Sequence, residues 1–307
     1  MLTPPSYVLI TPARNEAEFI ELTIQSVIAQ TLRPAKWVIV SDGSTDGTDE
    51  IVNKYAVEHA WIELLRQPER AERSFAGKAA AFHAGYARMK DVQFDVVGNL
   101  DADISFDEDY FAFLMTKFAE NPKLGVGGTP YREGNTTSGA RLVNLEHVSG
   151  ACQMFRRVCF EAIGGYSQIK TGGIDLIAVF SSRAKGWQTR TFTEKVCLHH
   201  RKMGGAVHTG LRERMHRGRM DYLLGSHPVW EICRSVYQMK KRPYFIGGLL
   251  ILVSYAWNWI RRVERTMPAD LIAFRQRDQI QRLKSAFRRT VGLEPRLADK
   301  AGAEHIS

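Results

Sequence analysis

The sequence is poor in cysteine and lacks the cysteine spacings of small stapled or metal-stabilised folds. Its four cysteines, at positions 152, 159, 197 and 233, include no CxxC pair, and no histidine lies at a zinc-finger interval. These absences exclude a disulfide-rich miniprotein and argue against a zinc finger. Free thiols in a reducing compartment are therefore predicted.

Several catalytic signatures are also missing. The chain has no Walker loop, no HExxH motif and no nucleophile elbow, which argues against a P-loop NTPase, a zincin and an α/β-hydrolase. The glycines at 125–128 lack the spacing of a dinucleotide fingerprint. The first residues show no basic n-region and no small-residue cleavage site, so no signal peptide is expected.

What the chain does contain is ample core material and an uneven charge. It is 44% hydrophobic and 24% charged, which excludes disordered and low-complexity classes. Residues 1–194 carry 20 basic and 24 acidic side chains, whereas residues 195–300 carry 22 and 8. The basic part predicts an acidic partner. Because its charge accompanies an apolar stretch and no nucleic-acid module, we expect an anionic membrane surface and no nucleic acid.

In the first half, short apolar runs alternate with segments of helical period. Helices are predicted over 48–59 and 77–89, and Asn15 is predicted to cap another, with Glu18 in capping-box position. The alternation predicts an α/β fold with helices on both faces of a sheet, in which ligands bind beyond the carboxyl ends of the strands. The strand-length runs are 7–11, 37–40, 61–65 and 95–100.

Polar clusters follow three of these strands, at 11–16, 41–48 and 101–103. Each alone is most simply a cap or a turn, but three at one sheet edge predict a ligand site. Asp101 and Asp103 lie on the same side of an extended chain, and two such oxygen donors suit Mg²⁺ or Mn²⁺. Asp42 could accept hydrogen bonds from a base or ribose, and Lys78 could meet a phosphate.

The order and spacing of six motifs resemble those of family 2 glycosyltransferases over about residues 6–200. The resemblance implies the GT-A fold (mixed sheet, helices on both faces), a nucleotide-diphospho-sugar donor such as a UDP-sugar, a Mn²⁺ or Mg²⁺ ion, and inversion at the anomeric carbon. The motifs lie at 12–16, 40–48, 77–81, 100–103, 155–157 and 163–166.

The resemblance also assigns residues to roles. It makes Asp101 and Asp103 metal ligands, with His199 or His200 as a third, although a solvated loop is the simpler interpretation of that basic run. It places Lys202, Arg217 and Arg219 near the diphosphate or the acceptor. The nucleotide-sugar site would consist of Pro12, Ala13, Arg14, Glu16, Asp42, Lys78, Asp101, Ala102 and Asp103.

The resemblance assigns the general base to Asp175, because the spacing to the Gly-Trp pair at 186–187 aligns it with the family's catalytic aspartate. Asp175 would take the proton of the acceptor hydroxyl; the alternative is a helix N-cap. Ile174 stands where the family has glutamate, which leaves open a catalytically silent, sugar-nucleotide-binding scaffold at the membrane. No Gln-x-x-Arg-Trp motif is present, which favours single-sugar transfer.

We predict a GT-A catalytic domain at 1–200, a basic acceptor-side segment at 201–242, an apolar membrane-associated helix at 243–262, a basic amphipathic helix at 263–296 and a disordered tail at 297–307. Residues 243–260 carry no charge, which is at the lower limit for a span. Basic residues at both ends favour a shallow or re-entrant segment. Five arginines between 275 and 289 predict a helix on an anionic membrane.

Together these features predict a peripheral or monotopic protein at the cytoplasmic face of the inner membrane. Its acceptor would be a lipid-linked saccharide, as in exopolysaccharide or cell-envelope polysaccharide biosynthesis. A buried soluble helix at 243–260 and a solvated surface helix further on are the alternatives.

Overall fold

The chain divides into two units, Met1–Ala206 and Val207–Ser307. The computed structural model describes residues 3–69, 75–134, 136–137, 145–201 and 210–290. Lys202 and the predicted tail at 297–307 lie outside the described residues.

The first unit alternates strands and helices, as the sequence predicts. Its strands are β1 (Tyr7–Ala13), β2 (Lys36–Asp42), β3 (Ile62–Gln67), β4 (Val96–Leu100), β5 (Ile104–Ser105), β6 (Leu124–Gly128), β7 (Tyr131–Glu133), β8 (Thr136–Thr137), β9 (Cys152–Arg156), β10 (Gln188–Thr191) and β11 (Cys197–His199). Its helices are α1 (Ile20–Ile28), α2 (Thr48–Glu58), α3 (Phe75–Ala87), α4 (Tyr110–Glu120), α5 (Arg157–Ala162) and α6 (Ile174–Ala184).

Seven strands form a mixed sheet in the order β10-β6-β9-β4-β1-β2-β3, which confirms the predicted mixed α/β architecture. The strands β1 to β4 are parallel, and β9 runs antiparallel between β4 and β6. A smaller sheet has the order β5-β11-β7-β8. The carboxyl ends of β1, β2 and β4 consequently meet at one edge, where ligands bind in such sheets.

The two faces of the large sheet build two separate cores. On β1, Tyr7 and Leu9 pack into one core with helix α1, whereas Val8 and Ile10 pack into the other with Phe82 of α3. This division follows from the two-residue repeat of a strand. Full burial of an apolar side chain of this size stabilises the fold by about 2 kcal/mol.

The predicted capping role of Asn15 is wrong. Helix α1 begins at Ile20 after Phe19, and no side chain caps its first turn. Asn15 instead has a left-handed backbone, with φ of 55°, and its Oδ1 accepts a hydrogen bond from the Thr45 amide at 2.9 Å. Its side chain therefore joins the loops after β1 and β2 and is directed away from the helix.

Arg156, at the end of β9, closes the C-terminus of α4. Its guanidinium donates to the carbonyls of Phe118 at 2.7 Å, Asn121 at 3.0 Å and Leu124 at 3.0 Å. Helix ends leave carbonyl groups without intrahelical partners, and a guanidinium offers several donors in one plane. This member of the 155–157 motif therefore has a structural role.

The described part of the second unit is helical, with α7 (Leu211–Leu223), α8 (Pro228–Met239), α9 (Ile246–Ile260) and α10 (Ala269–Thr290). None of the described helices is both long enough and apolar enough to cross a bilayer. Arg275, one of the five arginines predicted to face a membrane, is instead buried and donates to the Leu224 carbonyl at 2.5 Å.

Candidate functional site

The candidate site begins where β4 ends. Asp101 and Asp103 follow this strand directly, with the buried Ala102 between them. The Asp101 amide donates to the carbonyl of Ala151 at 2.9 Å, which extends the pairing of β4 with β9. The two carboxylates are thus positioned by the centre of the large sheet.

The small sheet adds a histidine to these carboxylates. Strand β11 pairs antiparallel with β5, opposite Ile104, and this register brings His199 Nε2 to 3.6 Å from Asp103 Oδ1. One ligand atom each of Asp101, Asp103 and His199 lies within 4.8 Å of the others. Two carboxylate oxygens and an imidazole nitrogen suit Mn²⁺ and are compatible with Mg²⁺.

The imidazole of His199 is oriented for such a role. Its Nδ1 hydrogen-bonds to the carbonyl of Arg201, and since a carbonyl can only accept, Nδ1 carries the proton. Nε2 then faces the carboxylates, which is the arrangement of histidines that bind a metal through this atom. His200, the other candidate, bonds through Nε2 to Ser105 Oγ at 2.9 Å and stacks on Phe19, outside the three-residue cluster.

Lys78, on α3, neutralises part of the acidic charge. Its Nζ lies 2.5 Å from Asp101 Oδ1. Burial alone would lower the pKa of Lys78, but Asp101, Asp175 and Asp103 together raise it above the ordinary value. Burial and the charge of Asp103 raise the pKa of Asp101 although Lys78 opposes this shift. The site therefore pairs a lysine cation with one of its own carboxylates.

Arg201 is a site residue that the sequence analysis missed. Its guanidinium hydrogen-bonds to the carboxylate of Glu16, and its Nε lies 3.4 Å from Asp103 Oδ2. It thereby connects the loop after β1 with the acidic pair. The signal was the basic run at 199–202, from which we selected Lys202, a residue outside the described part of the chain.

The residues assigned to the nucleoside pocket lie at the same edge. Pro12 and Ala13 end β1, and the buried Asp42 ends β2. The loops that follow these strands are tied together, because the Glu16 amide donates to Thr48 Oγ1 at 2.8 Å. Arg14 follows β1 within the same loop.

Asp175 lies in the first turn of α6, where a negative charge is favourable. The helix starts at Ile174 after Gly173, whose φ is 80°, so the alternative that Asp175 is the N-cap is wrong. A Cβ added to Gly150 would lie only 3.1 Å from the Cβ of Asp175. The carbonyl of the next residue, Ala151, accepts the hydrogen bond from the Asp101 amide. Residues 150–151 therefore connect Asp175 with Asp101. No pattern in the sequence indicates this role for Gly150.

The remaining predicted residues lie in the second unit. Arg217 and Arg219 are on α7, where Arg219 is exposed and Arg217 lies 3.5 Å from Glu213. Nothing in the described part of the second unit links them to a diphosphate.

Comparison with known proteins gives the same fold. Mannosyltransferase PcManGT from Pyrobaculum calidifontis, solved with GDP-Man and Mn²⁺, superimposes with a TM-score of 0.57 at 19% identity, over 93% of this chain and 81% of that one. TarS 1-349 from Staphylococcus aureus, solved with UDP-GlcNAc, gives a TM-score of 0.51 at 13% identity, over 85% and 74%. At such identities the likeness establishes the GT-A fold.

Sequence comparison identifies the family. Poly-beta-1,6-N-acetyl-D-glucosamine synthase of Staphylococcus aureus (strain COL) is 28% identical over 192 residues, which are 60% of this chain and 42% of that protein. The chain thus matches less than half the length of this relative. The profile described as Glycosyl transferase family 2 matches residues 8–167. Because this match covers more than half of the chain and agrees with the six motifs and the fold, the chain belongs to glycosyl transferase family 2.

Proposed function

We propose that the chain is an inverting glycosyltransferase that moves a sugar from a nucleotide-diphospho-sugar, specifically a UDP-sugar, to an acceptor hydroxyl. The observation that carries this proposal is the cluster of Asp101, Asp103 and His199 at the carboxyl edge of the sheet. Its donor set fits a divalent cation, which when bound would neutralise the diphosphate leaving group.

The chain's own residues supply the other functions. Asp42 and Glu16 would orient the nucleoside, and Lys78 and Arg201 would offer cationic donors to the diphosphate. Asp175 would hold the acceptor hydroxyl and take its proton as the hydroxyl oxygen attacks the anomeric carbon. Displacement from the face opposite the leaving group inverts the configuration at that carbon.

We also propose that the enzyme works at the cytoplasmic face of the inner membrane as a peripheral or monotopic protein. The support is the excess of basic residues at 195–300, which suits anionic lipid. The corresponding acceptor is a lipid-linked saccharide of exopolysaccharide or cell-envelope synthesis. The absent Gln-x-x-Arg-Trp motif supports transfer of one sugar at a time.

The test combines donor binding with turnover. A nucleotide-sugar that binds the folded chain with Mn²⁺ raises the melting temperature by mass action. Asp103→Asn should remove the Mn²⁺-dependent part of this increase, whereas Asp107→Asn, an exposed carboxylate on the following turn, should leave it unchanged. Asp175→Asn should retain donor binding and lose transfer by at least about a hundredfold.

Two results would contradict the proposal. If no nucleotide-sugar raises the melting temperature with either Mn²⁺ or Mg²⁺, the site is not a donor site. If donors bind but no acceptor hydroxyl or water is glycosylated by the wild-type chain, the silent scaffold, which the replacement of glutamate by Ile174 favours, is the correct function.

A further inference from the structure

Helix α8 buries its polar face and exposes its apolar face, which is the reverse of a helix on a water-exposed surface. Its buried residues are all polar: Glu231, Ser235 and Gln238. Its large exposed residues are apolar or aromatic, and Val229, Ile232 and Val236 are each about half exposed. These three positions are spaced three and four residues apart and so form one stripe. A helix that faces water would carry the opposite arrangement.

Helix α9 repeats the inversion. Its buried face consists mainly of small or polar residues, whereas its exposed face is wholly apolar or aromatic. The buried residues are Gly247, Gly248, Ile251, Ser254, Tyr255 and Asn258. The exposed ones are Ile246, Leu249, Val253, Trp257, Trp259 and Ile260.

The buried faces pack as helices do in lipid. A Cβ added to Gly248 would lie 2.2 Å from the Ser235 carbonyl oxygen, and one added to Gly218 of α7 would lie 2.2 Å from that of Ile251. Glycine therefore allows the backbones to approach closely, which is typical of helix contacts in membranes.

Two polar side chains inside this bundle donate to backbone carbonyls, whereas the Glu231 carboxylate and the Ser235 hydroxyl are buried without a hydrogen-bond partner in the described part of the chain. Ser254 Oγ donates to the Met215 carbonyl at 2.7 Å, and Tyr255 OH donates to the Ser226 carbonyl at 2.6 Å. Polar side chains that face the bundle interior while apolar ones face outward are the expected arrangement in a bilayer.

We infer that α8 and α9 form a hairpin that is embedded in one leaflet of an anionic bilayer through the stripe on α8 and the exposed face of α9. This assigns α8, which the sequence analysis placed in the acceptor-side segment, to the membrane surface. It deepens the proposed membrane association but does not depend on sugar transfer.

The dimensions exclude a crossing and set the orientation. The 12 residues of α8 and 15 of α9 extend about 18 and 22 Å, less than the roughly 30 Å hydrocarbon core. Exposed cations lie before α9, at 240–242, and after it, at 261–262. Because both ends of α9 would then lie among headgroups, the helix lies along the leaflet.

Charge selects lipid over a protein partner. Between residues 228 and 262 the single acidic side chain is Glu231, which is fully buried. The exposed charge of residues 228–262 is consequently all positive, which complements anionic headgroups. Trp257 and Trp259 supply the amphipathic rings that lie at headgroup depth.

The test uses co-sedimentation of the full chain with vesicles of phosphatidylcholine, with or without phosphatidylglycerol. We expect binding to the anionic vesicles and at least about tenfold weaker binding by Val236→Glu, since a charge on the stripe opposes burial in lipid. Val57→Glu is the matched control, because Val57 is 88% exposed on α2 of the first unit, and it should bind like the wild type.

A second measurement uses the otherwise unaltered chain. Cys233 is exposed on α8 and the other three cysteines are buried, so a thiol-reactive nitrobenzoxadiazole probe reports on this helix. With anionic vesicles its emission should shift to the blue, and lipids with a doxyl group near the headgroup should quench it more than lipids with the doxyl group at the bilayer centre.

Three outcomes would overturn the inference. The first is a Val236→Glu variant that binds vesicles like the wild type. Membrane association would then belong to other segments, and the proposed sugar transfer would be unaffected. The second is a probe at Cys233 that aqueous iodide quenches equally with and without vesicles. The third is a dimer in lipid-free solution that Val236→Glu dissociates while vesicle binding persists, since a second copy would then cover the stripe.

Discussion

Lys78 Nζ and Asp101 Oδ1 are 2.5 Å apart, so the candidate metal site contains its own cation. The ammonium group belongs to α3 and the carboxylate to the end of β4, and the pair is partly shielded from water. Lys78 therefore lowers the negative potential that a divalent ion would meet and raises the affinity for an incoming anion.

The first prediction is that Lys78→Met changes the binding of Mn²⁺ and of nucleotide in opposite directions. Without the ammonium group, which repels a cation, Mn²⁺ alone should bind about tenfold more tightly. UDP should bind more weakly, because the positive charge that attracts its diphosphate is lost. Titration calorimetry with each ligand measures both changes. Lys36→Met, which removes a comparable ion pair with Glu63, is the control; a change of the same sign for both ligands would contradict the assignment.

Gly150→Ala should reduce turnover without affecting the metal. The new Cβ would lie 3.1 Å from Asp175 Cβ and 3.3 Å from its Oδ2, which displaces the proposed base by a few tenths of an ångström. Misplacement of a reacting group on this scale lowers kcat by about tenfold. Gly247→Ala, whose added Cβ meets no atom closer than 3.5 Å, is the control. An unchanged kcat would show that the position of Asp175 is not critical.

Asn15→Ala should destabilise the loops at the nucleotide edge. The substitution removes the hydrogen bond to the Thr45 amide and leaves alanine in a left-handed conformation, so we expect a loss of about 2 kcal/mol in the free energy of unfolding. Asn15→Gly should lose about half as much, because glycine tolerates that backbone. Urea unfolding measures both, with Asn53→Ala on the exposed face of α2 as control; equal losses for alanine and glycine would contradict the backbone argument.

Glu231 should make the stability of the chain depend on pH. Burial and the charge of Asp221 raise the pKa of Glu231 from 4.5 to about 7, although Arg234, Arg275 and Arg217 oppose this shift. The folded state therefore binds the proton more tightly than the unfolded state. The resulting stability is fully present below pH 4.5 and is lost as the pH rises through about 7, by at most about 3 kcal/mol.

Glu231→Gln should remove this dependence, because glutamine keeps the shape but cannot ionise. The measurement is the difference in unfolding free energy between variant and wild type across the same pH window. Glu264→Gln, an exposed carboxylate of the same unit, should leave the profile as it is. If the free energy of unfolding of Glu231→Gln depends on pH as strongly as that of the wild type, the dependence belongs to another group.

The sequence predicted the parts of this structure that depend on local pattern. Strand alternation placed Asp101 and Asp103 on one side, and the alternation of strands and helices predicted the mixed α/β fold. The roles of Gly150 and Arg201 were missed because they depend on pairing between distant strands: β9 with β4 and β11 with β5. For α8, periodicity shows which residues share a face but not which face meets solvent, so the inversion became visible only in three dimensions.

Because Arg156 of β9 donates to a carbonyl at the C-terminus of α4, the end of this helix depends on the position of a distant strand. The residue after the helix, Asn121, has an extended backbone, so no local left-handed turn serves the terminal carbonyl of Phe118. This carbonyl obtains its partner from a residue 38 positions downstream. During folding, this helix terminus can therefore be completed only after β9 has entered the sheet, and amide exchange at residues 118–124 should become slow in step with that of β9.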